Sequence, residues 1–395
     1  MTNDTSPRFA ARARWELVPN RLTQVVRRRR ESGAPIIDLT ESNPTAVGLL
    51  APQEALDALA EPEALLYKPD PRGRESARAA VARDFARRGI PVDIERLLLT
   101  ASTSEAYALL FKLLADPGDT VLVPRPGYPL FDFLARLESV SVATYPLSWD
   151  GHWHVHGSGV DAAWTPRTRA VVVVNPNNPT GSYLEVEERR TLEGLCASRG
   201  AALISDEVFW DYSFGDVSRR APSLAVDGDC LGFSLGGVSK SLALPQLKLG
   251  WIAVSGPEIL RTEAMSRLEV IADTYLSVST PVQVAAPSLL ARVEVLQRPV
   301  QERVARNLAA LRTAVSGDSP ASLLEPEAGW SAVLRVPATV PEEERTVRLV
   351  EEVGVLVHPG FFFDFPNEAY LVLSLLPRPA EFDEGIARVL GSLRG

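Results

Sequence analysis

Residues 170–181 read Ala-Val-Val-Val-Val-Asn-Pro-Asn-Asn-Pro-Thr-Gly. Four consecutive valines without polar alternation mark a strand covered on both faces. The two prolines and three asparagines that follow are poorly suited to continue a strand or a helix. The chain is therefore expected to turn sharply and project amide side chains from the strand end. The same apolar-run style recurs on either side. Upstream, residues 96–100 read as a buried strand, followed over 104–114 by a helical stripe of Ala106, Leu109, Leu110, Leu113 and Leu114. Asp116-Pro117-Gly118-Asp119 is a turn, and residues 121–123 and 140–145 are further strands. Downstream, residues 185–199 read as a helix and 201–205, 231–235 and 249–254 as strands. Apolar runs separated by helices predict a layered α/β fold around a mostly parallel sheet.

The style changes near residue 280. Residues 282–315 are helical in character, with Val282, Ala286, Leu290 and Val293 and then Val304, Leu308, Leu311 and Val315 at helical spacing. Pro287 and Pro299 are expected to kink or divide this stretch, since proline removes a helix hydrogen bond. Strands at 331–335, 355–357 and 370–374, a helix near 341–353 and a last helix to Leu393 make a smaller α/β unit. Residues 36–39 are an isolated strand signal, so the N-terminal segment is expected to pack on that unit. The division predicted is 49–285 for a large domain and 1–48 with 286–395 for a small one, joined by the long helical stretch.

The 395 residues correspond to two or three domains at about 150 residues each. Apolar residues are 46% and charged residues 23%, which argues against disordered, collagen-like and disulfide-scaffold classes. With 41 Lys plus Arg against 50 Asp plus Glu, the net charge of −9 does not favour nucleic acid or an anionic membrane as partner. Two cysteines, Cys196 and Cys230, suggest a reducing compartment. The Arg27–Arg30 run leads into Glu31 rather than an apolar stretch, and no run is long enough to span a bilayer. The cytoplasm is the expected location.

Four features fall at predicted strand ends, where open α/β sheets bind ligands. The first is Thr100-Ala101-Ser102-Thr103-Ser104-Glu105, a strand-to-helix junction whose hydroxyls and free N–H groups suit an anion. The second is the Asn/Pro string already quoted. The third is Asp206, an acid at the end of an apolar strand, which needs a cationic or hydrogen-bonding partner. The fourth is Lys240, in Gly236-Gly237-Val238-Ser239-Lys240-Ser241, with Lys248 and Gly250 beyond it. A lysine among small residues in a cleft has a lowered pKa and can form a Schiff base. Taken singly, these features also read as a helix cap, a turn, an N-cap acid and a surface lysine.

Together and in this order, they resemble pyridoxal 5'-phosphate (PLP) enzymes of fold type I, in the class I/II aminotransferase family. The resemblance runs from about Ile36 to the last helix and includes Gln283 and Pro359-Gly360. It implies a three-layer α/β/α PLP-transferase fold with a smaller α/β domain. It also implies roles: Lys240 as the Schiff-base lysine and proton shuttle, and Asp206 paired with the pyridine nitrogen. Asn175 would bond the phenolic oxygen and Tyr128 would stack on the ring. Ser102, Thr103, Ser104, Ser239 and Lys248 would hold the phosphate, and Tyr67 would reach the phosphate of a neighbouring subunit in a homodimer.

The chain departs from that pattern in several places. Lys248 stands where the family usually has arginine, Phe209 where many relatives have tyrosine, and Gly237 where a serine is common. Relatives that bind α-amino acids usually carry an arginine in the late strand, and that slot is Val372. Arg378, or backbone donors near Ser42 and Asn43, are the replacements considered. His152, His154 and His156 alternate on one strand face with Trp153 opposite, and no metal is expected there. His358 reads as a strand end. Phe361, Phe362, Phe363 and Phe365 suit a pocket wall or a core equally. The reading reached is a PLP-dependent aminotransferase acting on an amino donor and an oxo acid by ping-pong transamination. The alternatives are a lyase, decarboxylase or cyclase on the same scaffold and, from another class, a ligand-sensing regulatory module.

Overall fold

The computed structural model describes residues 9–276 and 278–394. Its centre is an eight-stranded sheet in the order β2-β9-β8-β7-β6-β3-β4-β5. These strands are β2 (Leu97–Thr100), β3 (Thr120–Arg125), β4 (Ser141–Trp149), β5 (Trp153–Val155), β6 (Thr168–Val174), β7 (Ala202–Asp206), β8 (Gly232–Gly237) and β9 (Gly250–Ser255). β1 is Ile37–Asp38, in a separate pair described below. The neighbours β8-β7-β6-β3-β4 are parallel, while β9 runs against both β8 and β2 and β5 runs against β4. The predicted mostly parallel sheet is therefore present.

Alternation along the strands explains why the valine run shows no polar positions. Val172 and Val174 point into a core with Ala106, Leu110 and Leu268, from the helices Thr103–Leu114 and Glu258–Tyr275. Val171 and Val173 point the other way, towards Leu192 and Cys196 of the helix Val186–Arg199. On that second side, Leu97, Leu99 and Trp251 meet Val81 and Phe85 of the helix Glu75–Arg87 and Ala285 and Leu289 of the helix Thr280–Leu290. Both faces are sealed, which gives three layers.

The helix Glu258–Tyr275 is absent from the sequence reading. It buries Ala264, Met265, Leu268 and Ala272 but exposes Ile259, Leu260 and Val270, so its apolar stripe is blurred.

A second sheet, β10-β11-β14-β13, is antiparallel throughout. Its strands are β10 (Ser322–Leu324), β11 (Ser331–Arg335), β13 (His358–Pro359) and β14 (Tyr370–Ser374). β1 pairs in parallel with β12 (Val355–Leu356). Leu22, Val25 and Val26 of the helix Arg21–Glu31 pack on Val347 and Val350, so much of the N-terminal segment does join this unit. The stretch before that helix departs from the expectation. The Arg136 guanidinium donates to the carbonyls of Ala11 and Arg14, and Trp15 lies 5.8 Å from Phe133, both on the large-sheet side.

The long helical stretch does divide, but not at a proline. The break falls at Ala291–Arg292, between the helices Thr280–Leu290 and Val293–Ala314, while Pro287 and Pro299 lie inside the helices. Val293 and Leu296 belong to the core beside the large sheet, whereas Val300, Val304, Leu308 and Leu311 belong to that of the small one. The second helix thus spans both cores. No helix among the described residues is long and apolar enough to cross a membrane.

Candidate active site

Strands β2, β3, β6, β7 and β8 all run the same way, so their C-terminal ends share one edge of the sheet. At that edge is a cavity of about 320 Å³. Its floor includes Thr103 after β2, Tyr128 after β3, Val174 and Asn178 at and after β6, Asp206 at the end of β7, and Ser239 and Lys240 after β8. Its roof comes from the smaller unit: Trp330 and Ser331, His358, Phe363, and Val372, Leu373 and Ser374. Thr40 and Ser42 close one side. A larger cleft, of about 410 Å³, lies between Arg83 and Arg292 and gathers none of these groups.

Asp206 is 7% exposed. Burial pushes its carboxyl up to about 6, against the hydrogen bonds from Val208 N–H and the Tyr107 hydroxyl, and the neighbouring Glu207 charge adds to the rise. The Tyr107 contact is long for an O–H donor, at 3.3 Å. Lys240 is desolvated as well, and its amine falls to about 8, with the Asp206 charge opposing that fall. The amine lies 4.7 Å from the centroid of Trp330 and 5.5 Å from that of Phe209. The Tyr212 hydroxyl donates to the Lys240 carbonyl at 2.7 Å and so holds the backbone of the lysine. Behind the acid, Glu207 is clamped by the hydroxyls of Ser223 and Ser234 and by Leu224 N–H.

The remaining expected residues are placed unevenly. Asn175 is buried beneath the cavity edge. Its N–H donates to the Asp206 carbonyl at 2.8 Å and its Oδ1 accepts from Leu184 N–H at 3.0 Å, which leaves the side-chain amine to donate. Ser102 caps the helix Thr103–Leu114 by accepting from Glu105 N–H. Ser104 lies in that helix's first turn; neither serine lines the cavity. A Cβ on Gly250 would stand 3.1 Å from the Ser102 carbonyl carbon, so β9 lies tight against this junction.

Lys248 is exposed, in a left-handed conformation (φ 54°), and does not line the cavity. Tyr67 is 70% exposed and away from the cavity of its own chain. Arg378 lies beside Gly48 rather than in the cavity wall, so it is not brought to the Val372 slot. Asn43 turns its Oδ1 onto Thr45 and only Ser42 of that pair reaches the cavity. Among the four phenylalanines, Phe363 lines the cavity, while Phe365 stacks on Tyr370 at 4.5 Å.

The histidines at 152 and 154 sit on or next to β5, at the far edge of the sheet. The alternation does include an acid, since Asp150 stands two residues before His152; its Oδ1 lies 3.0 Å from His154 Nε2, and folding brings Glu188 Oε1 to 3.5 Å from the Nδ1 of the same ring. The Arg219 guanidinium stands 3.1 Å from His152 Nε2, where it competes with a cation.

Sequence reasoning missed Tyr107, Trp330 and the lining role of His358. Tyr107 and Trp330 stand among apolar neighbours with nothing in the sequence to single them out, and both are 2% exposed or less.

The residues present fit PLP. A desolvated amine on a half-buried lysine, a buried carboxylate short of partners and a flanking tyrosine meet at one cavity, beside a capped helix start whose Thr103 also lines it.

Comparison with known proteins agrees. The chain is 28% identical over 267 residues to the glutamate-pyruvate aminotransferase AlaA of Escherichia coli, covering 67% of this chain and 65% of that protein. It is 30% identical over 227 residues to the S-alkyl-thiohydroximate lyase SUR1 of Arabidopsis thaliana, covering 55% of this chain and 48% of that protein. The chain thus spans less than two thirds of the length of these relatives. The alanine aminotransferase of Pyrococcus furiosus superposes with a TM-score of 0.87 at 22% identity, covering 98% of this chain and 100% of that one, which shows the shared fold. The family described as aminotransferase class I and II matches residues 34–388, nearly the whole chain, and the protein belongs to that family.

Proposed function

We propose that the protein is a PLP-dependent aminotransferase that moves an amino group between an amino acid or amine and an oxo acid. The observation that carries this reading is the pairing of a desolvated Lys240 with a buried Asp206 on the floor of one cavity. When bound, PLP supplies a carbonyl that condenses with amines and a pyridinium ring that accepts the electron pair left at the substrate carbon. Lys240 Nζ, at about 8, is neutral in an appreciable fraction of molecules near neutrality, as a nucleophile and base must be. The same nitrogen takes the proton from the substrate carbon and returns it. The Asp206 carboxylate, buried with two weak donors, would gain a full counter-charge from a protonated ring nitrogen and would keep that proton in place. The unpaired amide NH2 of Asn175 would donate to the phenolic oxygen and Tyr128 would cover the ring; Thr103 and Ser239, which line the cavity, would hold the phosphate together with Ser102 and Ser104 at the same helix start.

Residues 49–285 would then be the cofactor-binding domain, and 1–48 with 286–395 the smaller one, a division supported by the separate cores on either side of the spanning helix. The exposed Tyr67 supports a homodimer in which it completes the partner's phosphate site, and Lys248 is proposed as a phosphate contact within its own chain. The cytoplasm is the compartment proposed, from the two free, buried cysteines.

The test is spectroscopic. Purified protein with PLP is expected to absorb at longer wavelength than its own aromatic residues, and borohydride should fix the cofactor on Lys240. Lys240→Ala should abolish fixation. A second reading, a lyase on the same scaffold, is favoured by the likeness to a relative named as one. A spectral change on adding an amino donor that an oxo acid then reverses supports transamination; release of a fragment without that reversal supports the lyase.

A further inference from the structure

We propose that His358 is the carboxylate-recognising residue of the cavity: it holds the substrate's carboxylate as an imidazolium and takes up a proton as the substrate binds. This rests on the aminotransferase reading, which supplies amino and oxo acids as substrates.

A carboxylate withdrawn from water needs a cation or a set of donors. Among the described residues no arginine lines the cavity; the lining side chains able to carry positive charge are Lys240 and His358. Lys240 is committed to the cofactor in the loaded protein, so the opposite wall has His358 alone. The strand register aims it. β13 pairs with β14 so that His358 stands directly across from Val372. Opposed residues in an antiparallel pair share a face, with Cβ atoms about 4.5–5.5 Å apart, and both residues line the cavity. Val372 is buried and apolar, and the ring of Phe363 lies 5.7 Å from the imidazole. Among the described residues, His358 is thus the one ionisable group on an otherwise apolar or hydroxyl-bearing roof.

The charges around the imidazole leave room for an incoming anion. Burial holds its pKa below the usual histidine value, and only partly does the Asp38 carboxylate of β1 offset this. Asp38 is itself engaged by the Thr40 N–H and hydroxyl, at 2.9 and 2.6 Å, and by Arg30 at 3.3 Å. Glu342, from the helix packed behind β13, is turned onto the N–H groups of Phe361, Ala369 and Tyr370. Lys240 and Asp206 face it from across the cavity. The ring is therefore neutral at neutral pH until a carboxylate arrives, and the arriving charge raises its pKa. By linkage, carboxylate affinity falls as pH rises from the pKa of the free imidazole towards its raised pKa in the complex, by up to about tenfold per pH unit, and levels off above the latter. The hydroxyls of Ser42, Ser331 and Ser374 also line the cavity, but donation from them carries no such pH dependence.

The experiment uses PLP-loaded protein and two probes that cannot react: 3-phenylpropanoate and the corresponding alcohol, 3-phenylpropan-1-ol. Their binding is measured by calorimetry from about pH 5.5 to pH 8.5, in buffers of different ionisation enthalpy. The carboxylate is expected to bind at least tenfold more tightly at the acid end and to take up protons; the alcohol should do neither. His358→Gln should lose both the tenfold advantage and the proton uptake while keeping the alcohol affinity and the cofactor spectrum. His358→Arg should keep the carboxylate affinity at every pH without proton uptake. Unchanged carboxylate binding in His358→Gln, or an unchanged pH slope in His358→Arg, overturns the proposal. Because neither probe is turned over, this outcome is separate from the transamination test, and either reading can fail without the other.

Discussion

Asp206 and Lys240 each carry an electrostatic cost that an ordinary folded protein would not keep. The carboxyl of Asp206 sits at about 6 in the folded chain against 3.8 for the free group, because burial disfavours its charge. Between these values the folded state binds more protons than the unfolded one, so stability falls as pH rises through that window. At neutral pH the full cost is present, on the order of 2–3 kcal/mol. Asp206→Asn keeps the acceptor for Val208 N–H, makes the Tyr107 hydroxyl accept from the amide NH2 in place of donating, and removes the charge. In the cofactor-free protein it is expected to be more stable than wild type by about 2 kcal/mol at pH 7.5, with the gain vanishing below about pH 4. Urea unfolding at the two pH values checks this, and a variant no more stable at pH 7.5 contradicts it. The same substitution should cripple catalysis, since the acid destabilises the empty fold in exchange for a partner in the loaded one.

The strands carry these residues to one edge, and the backbone near that edge tolerates little. Gly236 of β8 lies opposite Trp251 of β9, and a Cβ there would stand 2.4 Å from the buried indole nitrogen. Trp251 is 2% exposed and cannot yield without moving its neighbours. Gly236→Ala should therefore cost about 1–3 kcal/mol by overpacking. It should also weaken PLP retention, because the displaced strand leads straight to Ser239 and Lys240. Thermal unfolding together with cofactor dissociation on gel filtration measures both effects. A variant with wild-type melting temperature and cofactor content would show that the sheet absorbs the extra methyl.

Across the molecule, the helix Val293–Ala314 is the mechanical link between the two cores, and Asn307 is its polar anchor. Its side-chain amine donates to the carbonyls of Leu375 and Pro377, each at 2.8 Å, and the residue is fully buried. Asn307→Leu leaves two buried carbonyls without that donor, at about 2 kcal/mol or more. Amide exchange should quicken in the small sheet while β6 and β7 stay protected; uniform quickening would mean that the two units unfold as one. The proposed dimer is tested at the same level. Sedimentation should give a dimer, and mixing Tyr67→Phe with Lys240→Ala chains should yield hybrids in which one of the two sites combines both defects. A fully active monomer would remove any role for Tyr67 across subunits.

Much of the large sheet was legible because each strand is buried on both faces, so local apolar runs such as 171–174 report it without knowledge of their neighbours. Lys240 and Asp206 were legible for a related reason: a lysine among small residues and an acid ending an apolar strand each contradict their surroundings. The helix Glu258–Tyr275 was not, because its exposed isoleucine, leucine and valine mask the face that packs. Nor did the prolines locate the break in the long helical stretch. The packing of Thr280–Leu290 on one core, and of much of Val293–Ala314 on the other, sets it at Ala291–Arg292. Local chemistry, which depends on a residue and its chain neighbours, was thus readable along the chain: strand identity, helix caps, and the candidate nucleophile and acid. The roof of the cavity was not. Trp330, His358 and Val372 meet Lys240 only through strand pairing in a second sheet, about a hundred residues later in the chain. Register and burial set which of these side chains face the cavity, and both arise from contacts between segments far apart in sequence.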